Sequence, residues 1–78
     1  MIKKEMKLII TFHTTTEAMV MEKACKEAGA DGRIIPVPRA ISAGCGLAWA
    51  AKLESELVLR ELMAQKGINP QAVQECLV

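Results

Sequence analysis

Pro36 and Pro38, one residue apart and followed by a cysteine set between two glycines, constrain the possible folds of this chain more than any other feature. Each proline fixes φ and removes an amide donor, so a strand over residues 33–37 has to lie at a sheet edge. Gly44 and Gly46 open backbone conformations closed to other residues, and with Pro36 and Pro38 they specify the path of a loop over residues 39–46. Near its end stands Cys45, the one side chain of RIIPVPRAISAGCGL with evident covalent chemistry, since a thiolate is both nucleophile and metal ligand.

The elements around this loop are short. Residues 6–12 (MKLIITF) form an Ile-rich apolar run, read as a strand buried on both faces at the sheet centre. His13 leads into Thr14, Thr15 and Thr16, and Thr14 with Glu17 makes a capping-box pattern that opens a helix to about Ala28. Ala18, Met21, Cys25 and Ala28 recur at helical spacing, with Val20 and Ala24 widening the stripe and Gly29 as the stop. From Leu47 two readings stay open. Leu47, Trp49 and Ala51 alternate as in a strand over 47–52, yet the Ala-, Leu- and Glu-rich run that follows would also suit one long helix. Residues 54–66 are helical either way, with Leu57, Val58, Leu62 and Met63 expected to face the core and Gly67 as the stop. Residues 72–78 (AVQECLV) close as a last strand.

With a strand at Leu47 the order is β-α-β-β-α-β. That is an α+β, ferredoxin-like sandwich: an antiparallel four-stranded sheet, first and third strands central, with two helices on one face. The 78 residues are expected to form one such domain, 1–78, with little room for a large active-site cavity.

Charge and composition exclude several functions. The formal net charge is +1, no basic stripe exists, and Phe12 and Trp49 are the only aromatic residues, which argues against nucleic acid. The Lys3, Lys4 and Lys7 cluster is interrupted by Glu5. No run of about 18 apolar residues is present for a membrane span, nor one of signal-peptide length, so a cytoplasmic protein without a membrane is expected. Cys25, Cys45 and Cys76 match neither a zinc pattern nor a disulfide framework, and an odd count suits free thiols in a reducing compartment. Neither a metal nor a cofactor is expected.

This order of elements, with RIIPVPRAIS followed by CGLAW, resembles the selenium/sulfur carrier-like family of small bacterial proteins. The resemblance covers nearly the whole chain and is carried by Pro38, Arg39, Ala40, Ile41 and Ser42 and by the Cys45–Gly46 pair. It implies a ferredoxin-like domain with Cys45 as the carrier residue, and it favours a strand at Leu47. Such a carrier holds sulfur or selenium on Cys45 as a persulfide-type adduct. It passes the atom from a donor protein, for example a cysteine desulfurase, to an acceptor enzyme, and is not itself a turnover enzyme. Oligomerisation stays open.

Within the segment, Cys45 is the candidate nucleophile, Arg39 the nearest positive charge for a thiolate, and Ser42 a further candidate. As a hydrolytic serine Ser42 lacks a Gly-x-Ser-x-Gly turn and a nearby histidine. The rival reading is a small non-catalytic interaction or anion-binding module with Cys45 structural. Its candidate site is His13, Thr14, Thr15 and Thr16 at a helix N-terminus. Metallochaperones also bind at that loop, but they need paired cysteines, which HTTT lacks. Cys25, on the apolar stripe, reads as core. Cys76, in an edge strand, reads as structural or as a resolving thiol for Cys45.

Overall fold

The computed structural model describes residues 5–38, 41 and 46–77. Its elements are β1 (Met6–Thr11), α1 (Thr15–Ala28), β2 (Arg33–Pro36), β3 (Leu47–Ala51), a 3-10 turn (Leu53–Ser55), α2 (Glu56–Lys66) and β4 (Ala72–Leu77). All strand pairs are antiparallel and the sheet order is β2-β3-β1-β4. This is the β-α-β-β-α-β ferredoxin-like α+β arrangement, with β1 and β3 central and the proline-bearing β2 at an edge.

The ambiguity at Leu47 resolves as a strand because β3 is paired on both sides, Ala48 with Thr11 of β1 and with Ile35 of β2. Two ladders of non-local hydrogen bonds outweigh the modest helix propensity of Leu-Ala-Trp-Ala-Ala. Alternation then sends Trp49 and Ala51 into the helix layer, and Ala48 and Ala50 to the opposite, open face.

The helix-side core joins Leu8, Ile10 and Phe12 to Met21 and Cys25 of α1 and to Leu59, Leu62 and Met63 of α2. Fully burying side chains of this size is worth about 1.5–3 kcal/mol each. α1 begins as its sequence specifies: Thr14 Oγ1 accepts from the Glu17 amide at 3.2 Å, and the Glu17 carboxylate accepts from the Thr14 amide at 3.2 Å. Gly29 and Gly67 end the two helices in the left-handed conformation.

Several expectations are corrected. Leu57 and Val58 are 75% and 58% exposed, because α2 turns the stripe of Leu59, Leu62 and Met63 to the sheet, and no straight helix can bury Leu57 with that stripe. Val20 and Ala28 are likewise exposed; α1 buries only the narrower line of Ala18, Met21, Ala24 and Cys25. The edge strand ends at Pro36 rather than Val37, whose amide instead donates to the Gly46 carbonyl at 3.0 Å. β1 stops at Thr11 and β3 at Ala51, and the 3-10 turn precedes α2, which starts at Glu56. Val78, expected in the last strand, lies outside the described residues.

Candidate functional site

The loop between β2 and β3 is closed at its base. Val37 donates to Gly46 across the loop mouth, and Pro36 pairs with Leu47 one step further on. The Ile41 amide donates to the Pro38 carbonyl at 2.9 Å, a local turn within the loop. Ile41 and Val37, with Ile35 and Cys76, pack against Ile9, Ala48 and Ala50 on the open face of the sheet; Ile9 and Ala48 are fully buried. Alanine at 48 and 50 leaves room for that close approach.

Cys45, Arg39, Ser42 and Gly44, the centre of the expected site, lie outside the described residues, as does Ala40. Their attachment points are described. Gly46 follows Cys45 directly, has φ of 77°, and is held by the Val37 amide. Pro36 closes β2, and Pro38 is half-buried at the start of the loop. Because Ala48 pairs with Thr11, β3 begins at the same end of the sheet at which β1 hands over to α1. The Cys45 attachment and the His13–Thr16 turn therefore share one end of the fold.

At that turn Glu17 supplies its own anion. Its Oε1 accepts from the His13 amide at 2.9 Å and the Thr14 amide at 3.2 Å, and lies 3.4 Å from His13 Nδ1. A free anion there would compete with a carboxylate for two of the amides and would be repelled by it.

The other two cysteines are accounted for. Cys25 is 1% exposed in the helix-side core, and burial pushes its thiol up to about 11. Cys76 is half-buried on the open face, opposite Lys7 at the far end of β1. Leu47 is separated from Cys76 by about 16 Å along the strands and about 10 Å across them. Cys76 packs against the Ile9, Ala48 and Ala50 cluster on which Val37 and Ile41 also rest.

Sequence reasoning missed two features of this region. Ile41, an apolar residue inside a loop, was the available signal that the loop packs back on the sheet. Thr11 had no such signal: it lies on the open face, fully buried, and its hydroxyl has no hydrogen-bond partner among the described residues.

These features define a ferredoxin-like α+β domain whose β2–β3 connection is closed at its base by Val37 and Gly46 and packs Val37 and Ile41 on the open sheet face. The family described as "Putative Se/S carrier protein-like" matches residues 7–75, and the chain belongs to that family. No curated protein and no solved structure matches it. Among the described residues no helix is long and apolar enough to cross a membrane.

Proposed function

We propose that this protein carries sulfur or selenium on Cys45 between a donor and an acceptor protein. The family match over residues 7–75 carries this reading. The base-closed loop supports it: a carrier cysteine must be reachable by two different partners, yet attached to a point that does not wander.

The chemistry balances without a cofactor. The Cys45 thiolate attacks the outer sulfur of a donor persulfide; the new S–S bond forms as the donor's S–S bond breaks, and the donor leaves as a thiolate. Cys45 is then a persulfide. In the second step an acceptor thiolate attacks that outer sulfur and Cys45 departs as the thiolate. Selenium would travel as the corresponding S–Se adduct. Arg39 is the candidate for favouring the Cys45 thiolate, and Ser42 a candidate hydrogen-bond donor to the adduct. With Cys25 buried, the carrier works through Cys45, and release depends on the acceptor. A reducing compartment such as the cytoplasm suits it.

Incubation with a cysteine desulfurase and cysteine, followed by intact-mass measurement, is expected to show a gain of one sulfur atom, reversed by dithiothreitol. Cys45→Ser should abolish the gain in a folded protein. A wild-type chain that gains nothing from any persulfide donor would leave the binding-module reading in its place, with Cys45 structural.

A further inference from the structure

On the open face Lys7, Arg33, Ile35, Ala50 and Lys52 line a groove of about 710 Å³. Pro38, the first residue of the Pro-Arg-x-Ile-Ser segment, forms part of its wall. Register explains the grouping. Arg33 pairs with Ala50, while Lys7 and Lys52 flank the paired residues Leu8 and Ala51. Three cations thus border an apolar floor of Ile35 and Ala50.

The two acids at the groove are already engaged. Glu5 lies 3.8 Å from Lys7 Nζ, and Asp31 Oδ2 accepts from the Lys52 backbone amide at 2.8 Å. The Arg33 guanidinium and the Lys52 ammonium have no acceptor among the described residues, and both residues are exposed.

The geometry points to this groove as the docking site for an acidic, extended segment of a partner protein. Carboxylates of the segment would meet Arg33, which can bind one through two parallel hydrogen bonds, and Lys52. An intervening apolar side chain would rest on Ile35 and Ala50. A partner held there touches the cysteine-bearing loop through Pro38. That this partner is a sulfur donor or acceptor rests on the carrier reading; the complementarity of the groove does not.

The test uses the whole isotope-labelled chain titrated with a synthetic peptide of alternating Asp and Leu and with its Lys/Leu counterpart. Amide shifts of Arg33 to Ile35, Ala50 and Lys52 should move with the acidic peptide only, and less so in high salt. Arg33→Glu and Lys52→Glu, each at an exposed side chain and each checked for a dispersed spectrum, should weaken binding roughly tenfold. Cys45→Ser should bind as the wild type does. An equal response to the basic peptide, saturation of the same shifts by acetate at the same concentration, or indifference to both charge reversals overturns the proposal. Sulfur loading is read separately, so a chain that loads sulfur but ignores the acidic peptide loses only the groove. One that binds the peptide but never loads loses only the carrier reading.

Discussion

Cys76 stands directly opposite Lys7 in the β1–β4 ladder, four residues along β1 from Thr11, which faces the start of β3. Those register positions set Cys76 and the start of β3 toward opposite ends of β1, while Cys76 packs on the same Ile9, Ala48 and Ala50 cluster as Val37 and Ile41. Mild oxidation of the native chain should therefore give no intramolecular Cys45–Cys76 disulfide, only mixed or intermolecular ones. Cys76→Ser should keep sulfur loading within about twofold of wild type; peptide mapping of the oxidised, non-reduced protein checks both.

Cys25 should be the last thiol alkylated in the native protein, since it is buried and its pKa is about 11 instead of 9.0. The cause is desolvation, which disfavours the thiolate. A folded-state pKa raised above the unfolded one stabilises the native protein fully below about pH 9, and that contribution is lost as pH rises toward 11. Denaturant unfolding of wild type and Cys25→Ala at neutral pH and near pH 10.5 should show wild type losing more, the difference being on the order of 1–2 kcal/mol. Cys25→Ser should cost about 1–3 kcal/mol at neutral pH by burying a hydroxyl in an apolar site.

Gly32→Ala should be among the most damaging single changes outside the core. Gly32 has φ of 123°, and a Cβ there would collide with the Trp49 indole and the Ala50 carbonyl. The indole cannot easily give way, because its Nε1 donates to the Asp31 carbonyl at 3.1 Å. A loss of at least about 2 kcal/mol is expected from thermal or urea unfolding.

Thr11→Val should stabilise the protein by about 1 kcal/mol, since the fully buried hydroxyl of Thr11 lacks a partner among the described residues. Unfolding by urea measures it. A loss of stability instead would overturn this reading of the Thr11 hydroxyl.

What the sequence determined by itself was local. Thr14 and Glu17 form their capping box because both partners lie within one turn of chain, and Gly29 and Gly67 stop their helices for the same kind of reason. Pro36 confined β2 to an edge because a missing amide is a property of the residue itself. The glycines around Cys45 likewise singled out the loop. Tertiary structure decided what depends on distant partners. Leu47–Ala51 is a strand because β1 and β2 pair with it on both sides, a contact that no periodicity in five residues encodes. α2 offers several apolar residues to the sheet, and packing chose Leu59, Leu62 and Met63 over Leu57 and Val58. The gathering of Lys7, Arg33 and Lys52 on one face follows from strand register. Register is set by burying Ile9 and Ile10 on opposite faces of one sheet, and a slip of one residue would exchange those faces throughout.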